Sequence, residues 1–180
     1  MDKVNKHERE VCLELLARPD VFDTNIHRVI EGIATTGIRN KHGYILDPHG
    51  AEFTMPVPLL LSHNWLRPIG RVTKASRSPA GLKFTAQIAN AKLAWVADVW
   101  DDIKTGAFPA VSLDATNARP LASDLFFWHW EELSVCEAGA NPDALIWTVK
   151  EVYRPGVIWV DGKKHETIYR DVRPESVTTQ

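Results

Sequence analysis

Alternating hydrophobic and polar positions run through most of the chain and predict mainly β-structure. Apolar side chains at every second position, many of them β-branched, are typical of strands with one buried face. Such runs lie at 25–35, 56–61, 69–73, 82–88, 110–115 and 126–136. A turn-rich segment at 76–81 predicts a hairpin between two of these runs. We expect a second, closing hairpin between 149–160 and 166–172, about Asp161 and Gly162.

Two segments show helical spacing instead. Residues 4–17 fit a short amphipathic helix that Pro19 terminates, and residues 91–105 repeat apolar positions every three or four residues up to Gly106. Many strands with few helices predict an α+β or mainly β fold, a curled sheet or barrel. With no internal repeat or compositional break, we expect a single domain over 1–180, with a core at about 25–150 and a C-terminal hairpin extension and tail at 151–180.

Composition removes several functional classes. The chain is 44% hydrophobic and 24% charged, with a formal net charge of −2, which disfavours a nucleic-acid-binding surface. No apolar run reaches the roughly 18 residues of a membrane span, and the charged N-terminus lacks a signal-peptide pattern. We therefore expect no membrane partner and a protein that stays where it is made. Cys12 and Cys136 are expected to be free thiols.

His63 has the most suggestive context of the seven histidines. It directly follows the apolar run at 59–61, and a histidine at the end of a buried strand is held rigidly enough to act as a general base. By position alone, a ring satisfied by local backbone groups is the simpler explanation. The histidines show no metal-ligand spacing such as HExxH, so we expect neither a metal nor another cofactor.

Ser112 and Glu132 are the other candidates. Ser112 lies in a predicted strand but not in a GxSxG elbow, which excludes an α/β-hydrolase. Alternation turns only one of Glu131 and Glu132 toward a given face, where a carboxylate could orient an imidazole. A solvated acid pair is the simpler alternative. The same alternation disfavours a hydrolase built on both carboxylates.

Four segments, taken in order, resemble the prohead (capsid-maturation) proteases of tailed phages. They are EGIATT at 31–36 with Asp47 downstream, PLLLSHNWLRPIGRV at 58–72, KTGAFPAVSLDA at 104–115 and WEELSVCEAGANPDALI at 130–146. The resemblance runs over 29–146 and implies an assemblin-like curled β-barrel with flanking helices. It also implies a serine endopeptidase with Ser112 as nucleophile, His63 as base and Glu132 as third member.

The resemblance further implies substrates and a location. The substrates would be the phage scaffold, the N-terminal segment of the major capsid protein and the protease itself, inside the assembling prohead in the bacterial host cytoplasm. A homo-oligomer stays open. The chain departs from the family at Asp114 and Ala115, where a glycine and often an aromatic residue stand, and at Gly139, where proline is common. Asp114 sustains an alternative, a catalytically silent capsid-assembly module that binds scaffold.

Two further features leave alternatives open. Trp128 and Trp130 share one strand face, which suits either core packing or the wall of a peptide groove. An exposed strand edge could bind a substrate as an added strand.

Overall fold

The computed structural model describes residues 5–22, 26–90, 93–121, 125–153, 158–160, 163–165 and 169–171. Within these residues, nine strands form one mixed sheet, two further short strands pair with each other, and two α-helices flank the large sheet. The expected mainly β architecture with flanking helices is confirmed.

The strands are numbered along the chain. Their bounds are β1 Ile26–Thr35, β2 Ala51–Glu52, β3 Val57–Leu61, β4 Asn64–Ser78, β5 Gly81–Ile88, β6 Ala110–Leu121, β7 Leu125–Cys136, β8 Ile146–Tyr153, β9 Ile158–Val160, β10 Lys163–His165 and β11 Tyr169–Asp171. The large sheet has the order β11-β8-β1-β5-β4-β3-β7-β2, and β6 pairs with β7. The contacts of β7 with β2 and β3 are parallel, whereas the other pairings are antiparallel.

The helices begin and end where local chemistry allows. Helix α1, Lys6–Ala17, begins after Asn5, whose side chain accepts a hydrogen bond from the His7 backbone N–H at 3.1 Å. Helix α2, Ala94–Thr105, ends at Gly106 with φ +81°, the left-handed conformation that glycine adopts without strain. Both helices lay a buried apolar side against the sheet.

The sheet curls so that the start of β6 meets the residues just before β8. Ala110 forms a single β-bridge with Leu145, and the Val111 N–H donates to the Ala144 carbonyl at 2.9 Å. No longer ladder joins β6 to β8 in the described part of the chain, so the sheet is curled without being a fully hydrogen-bonded barrel.

Several strand boundaries differ from the predicted ones. Strand β4 runs through Ser78, so the turn before β5 is reduced to Pro79 and Ala80, because the polar residues at 76–78 pair with β5 instead of looping out. Strand β6 continues to Leu121, and the short strand β2 was not predicted.

The predicted closing hairpin between 149–160 and 166–172 is confirmed in its pairing, and the short strand β10 is added to it. Strand β9 pairs with β10 across 161–162, while β11 pairs with β8. The turn residues Asp161 and Gly162, and residues 154–157 and 166–168, lie outside the described part of the chain.

The core lies between the curled sheet and the helices. Trp128 and Trp130 are fully buried in it, and the Trp130 ring meets Phe53 edge-on at a centroid distance of 5.7 Å. Core packing, and not a peptide groove, therefore accounts for both tryptophans. Cys12 is buried and Cys136 is half-buried, and both are free.

A glycine in the centre of the sheet provides a test of this packing. Gly70 pairs with Leu59 on one side and Ile88 on the other, and a Cβ at this position would lie 2.2 Å from the Gln87 carbonyl oxygen. We expect Gly70→Ala to lower the free energy of unfolding by about 2–3 kcal/mol, because the backbone of β5 at Gln87 and Ile88 must shift. Urea unfolding followed by tryptophan fluorescence measures this.

The matched control is Gly37→Ala, where an added Cβ would meet nothing within 4 Å. We expect its unfolding free energy to stay within about 0.5 kcal/mol of the original. Equal urea midpoints for the two variants would contradict the tight strand packing around Gly70.

Candidate active site

His63 is held in a strained two-residue turn between β3 and β4. Ser62 and His63 have φ +48° and +59°, and the flanking Leu61 and Asn64 pair with each other. Two positive φ angles in succession are the pattern of a type I′ hairpin turn, which usually requires glycine or asparagine. Backbone strain of this kind persists only where surrounding contacts hold it.

Those contacts come from β7. The Ser62 N–H donates to the Val135 carbonyl at 3.1 Å, and the His63 N–H donates to the Ser134 Oγ at 2.8 Å. The turn is therefore fixed to the strand that also carries Glu132.

Glu132 is a buried carboxylate with both oxygens engaged. Its Oε1 lies 2.6 Å from His63 Nδ1, and its Oε2 accepts a hydrogen bond from the Ser134 hydroxyl at 2.7 Å. The Glu132 side chain is 1% exposed, whereas the His63 side chain is 48% exposed. The imidazole thus reaches from a buried anion to the surface. Since an ionised carboxylate only accepts, we assign the proton to Nδ1, which leaves Nε2 as the basic nitrogen.

The electrostatics of the pair follow from this geometry. The hydrogen bond to Glu132 raises the pKa of His63 above its usual value, with a further increase from Asp114, while burial and Lys41 act in the opposite direction. Burial raises the pKa of Glu132, and its hydrogen bonds with His63 and Ser134 counteract that rise. A buried carboxylate beside an imidazole stabilises the protonated ring, which a general base must become during proton transfer.

Ser112 lies one strand away from this pair. It stands directly opposite Ser134 in the β6–β7 register, and residues opposite each other share one face of the sheet. Ser112 is 8% exposed and makes no hydrogen bond with His63 among the described residues. Catalytic hydrogen bonds are often long without bound substrate. Of the three predicted site residues, His63 and Glu132 are in direct contact and Ser112 lies on the adjacent strand.

An open groove flanks the turn that carries His63. Its volume is about 630 Å³. It is lined by Leu61, Ser62, Asn64, Arg67, Phe108, Cys136, Glu137 and Ala138.

Glu131, the neighbouring carboxylate, belongs to a different set of contacts. It forms an ion pair with Arg9 of α1 and accepts a hydrogen bond from the Thr116 hydroxyl at 2.5 Å. It therefore anchors α1 to the sheet, and the two adjacent glutamates do not form a catalytic pair.

The thiols are poor nucleophile candidates. Burial raises the pKa of Cys12 to about 12 and that of Cys136 to about 11. Both are therefore protonated at neutral pH, and a thiol is a weak nucleophile until it ionises.

Neither a metal centre nor a membrane-spanning helix is found in the described part of the chain. No group of three or more His, Cys, Asp or Glu side chains there could hold a metal ion. Neither described helix is long and apolar enough to cross a bilayer.

Sequence reasoning missed the role of Ser134. Its hydroxyl links Glu132 to the backbone of the His63 turn. A serine two residues after a candidate carboxylate, on the same strand face, was the available signal.

Comparison with known proteins gives a similar sequence and a shared fold. No model of a known protein family matches the chain. The chain is 32% identical over 138 residues to a capsid polyprotein of Pseudomonas phage PAJU2. The match covers 71% of this chain but only 21% of the polyprotein, so the chain spans about a fifth of that relative's length.

Among solved structures, the chain is similar to the protease of Kaposi's sarcoma-associated herpesvirus. The structure of that protease with a hexapeptide phosphonate inhibitor matches with a TM-score of 0.51 and 15% identity, over 72% of this chain and 66% of the protease chain. A structure of the same protease with a dimer disruptor matches with a TM-score of 0.47 and 15% identity, over 67% of this chain and 74% of the protease chain. At this identity the first similarity establishes a shared fold, the assemblin-like arrangement of a curled sheet with flanking helices.

The contact between Glu132 and His63 can be tested without any substrate. We expect Glu132→Gln to lower the pKa of His63, because the ring loses the carboxylate that stabilises its protonated form. NMR titration of the imidazole measures this, with His63→Gln used to assign the resonance.

Glu131→Gln is the matched control, since it removes the same charge one residue away without touching His63. The pKa of His63 in this variant should stay unchanged. If Glu132→Gln left the His63 pKa where it was, the imidazole would not depend on this carboxylate.

Proposed function

We propose that the chain is a serine endopeptidase with Ser112 as nucleophile, His63 as general base and Glu132 as the carboxylate that orients the imidazole. The observation that carries the proposal is the buried Glu132 bound to Nδ1 of a half-exposed His63, one strand from Ser112. A buried acid, an imidazole and a hydroxyl in this order are the components of nucleophilic acyl transfer.

The reaction proceeds in two balanced halves. His63 Nε2 takes the Ser112 proton as the hydroxyl oxygen attacks the scissile carbonyl, and the imidazolium then gives that proton to the leaving amine. The same imidazole then takes a proton from water, which attacks the acyl-enzyme. The ester bond to Ser112 breaks, the carboxylic acid product leaves, and the imidazolium returns its proton to the Ser112 oxygen. Glu132 remains ionised throughout and keeps the ring in the tautomer that exposes Nε2.

The outer edge of β6 supplies a place for an extended substrate. The Val111 N–H points away from β7 toward Ala144, and backbone groups alternate in direction along a strand. The Leu113 N–H, directly after Ser112, therefore points to the same side, where no strand of the described residues continues the sheet. A peptide added there as a strand would pass the Ser112 hydroxyl.

The biological role proposed is that of a prohead protease in phage capsid maturation. Similarity to part of a phage capsid polyprotein, together with the fold shared with a herpesvirus protease, supports it. The substrates would be the scaffold, the N-terminal segment of the major capsid protein and the protease itself, in the assembling prohead within the bacterial host cytoplasm. A polyprotein relative fits such self-processing, because the products of a polyprotein must be separated.

A second candidate is a catalytically silent capsid-assembly module with the same fold. Two observations favour it: the Ser112 hydroxyl makes no hydrogen bond with His63, and Asp114 lies two residues from Ser112 on the same strand face. Such a module would bind scaffold or capsid protein without cutting it.

Mass spectrometry of cleavage reactions separates the two candidates. The protein and its Ser112→Ala variant are each incubated with the cognate scaffold and major capsid protein. We expect discrete fragments from the unsubstituted protein and none from Ser112→Ala, a loss of at least about 10³-fold, because the nucleophile is gone.

Ser76→Ala, at an exposed position of β4, is the matched control and should cleave normally. Circular dichroism establishes that each variant is folded. Cleavage by Ser112→Ala would remove Ser112 from its role, and a folded protein that never cleaves would favour the silent module.

A further inference from the structure

Asp114 faces the proposed site and not the solvent side of β6. It stands directly opposite Glu132 in the β6–β7 register, as Ser112 stands opposite Ser134. Side chains two residues apart on a strand share a face, so all four groups lie in one patch. A register shift follows immediately after Asp114, which makes it the last residue of β6 in this arrangement.

Asp114 has no partner of its own in the described part of the chain. It is half-buried, and no described side chain forms a hydrogen bond or ion pair with it. Glu132 cannot neutralise the charge of Asp114, because both oxygens of Glu132 are engaged and its charge has the same sign. Two facing carboxylates repel each other, so the arrangement is favourable only if a positive charge forms beside them.

Three elements bring charged groups to the imidazole of His63. Glu132 comes from β7, Asp114 from β6, and Lys41 from the connection after β1. Lys41 is exposed, so solvent and salt weaken its repulsion more than they weaken the attraction of the buried Glu132. The balance favours a protonated ring.

We propose that Asp114 is a second positioning carboxylate, which acts with Glu132 to stabilise the imidazolium formed when His63 takes the proton of Ser112. This inference rests on the proposed peptidase function for its catalytic consequence, but its electrostatic part concerns only Asp114 and His63. Asp114 acts through His63 and touches no reacting atom. Asp114 raises the pKa of His63, as a group that stabilises the imidazolium must.

The cost of this arrangement is a shift in the working pH. His63 must be neutral to accept a proton, so every contact that favours the imidazolium moves the acid limb of activity to higher pH. Removing the Asp114 charge should therefore extend activity toward lower pH, while making the proton transfer itself less favourable.

The test compares Asp114→Asn, which removes the charge, with Asp114→Glu, which keeps it. We expect Asp114→Asn to lower the pKa of His63 in an NMR titration and to move the acid limb of kcat/KM to lower pH. We also expect kcat at the optimum to fall roughly three- to tenfold, far less than the loss on removing Ser112 or His63. In Asp114→Glu, both the pKa of His63 and the acid limb of kcat/KM should stay where they are in the unsubstituted protein.

Glu52→Gln, at an exposed position of β2, removes one charge from the same sheet and should change neither readout. An unchanged His63 pKa in Asp114→Asn would overturn the inference, even if that variant were less stable or less active. If the unsubstituted protein cleaved nothing, the proposed function would fail, while a lowered pKa in Asp114→Asn would still support the action of Asp114 on His63.

Discussion

The whole arrangement depends on the burial of one carboxylate. An ionised Glu132 side chain at 1% exposure would be very costly if it were unpaired, and its two oxygens are satisfied by His63 and Ser134. Those two partners are in turn placed by the same strand, because the Ser134 hydroxyl also holds the backbone of the strained His63 turn. The stability of the fold and the proposed chemistry therefore depend on the same hydrogen bonds. These bonds offset the desolvation of Glu132, and they also fix the imidazole of His63.

Strand β7 organises this network because it is paired on both sides. Its segment around Ser134 is parallel to β3 and antiparallel to β6, so Leu60, Ser134 and Ser112 stand side by side on three strands. His63 lies in the turn that directly follows β3. A one-residue slip in either pairing would move a candidate side chain to the opposite face, and the buried apolar residues of β7 prevent such a slip.

Local sequence predicted the elements better than their pairing. Periodicity located both helices and most strands, because that signal resides in neighbouring residues. The Ser62–His63 turn gave no hairpin signal, because it lacks the glycine or asparagine that positive φ angles usually require, and contacts with β7 stabilise it instead. The registers of β7 with β3 and β6 are likewise non-local. Position along the chain made His63, Ser112 and Glu132 candidates, and the resemblance assigned their roles. The role of Ser134 was found only in the structure.

Asp114 shows why a departure from a familiar pattern needs a structure before it is interpreted. From the sequence alone, a carboxylate two residues after a nucleophile suggests either repulsion of an oxyanion or loss of activity. The register instead places it opposite Glu132, within the electrostatic reach of His63. A negative charge there opposes a negative oxyanion but favours a positive imidazolium, and both charges form in the same step. Which effect dominates depends on distance and burial, so the charge can move the working pH of the site without removing its chemistry.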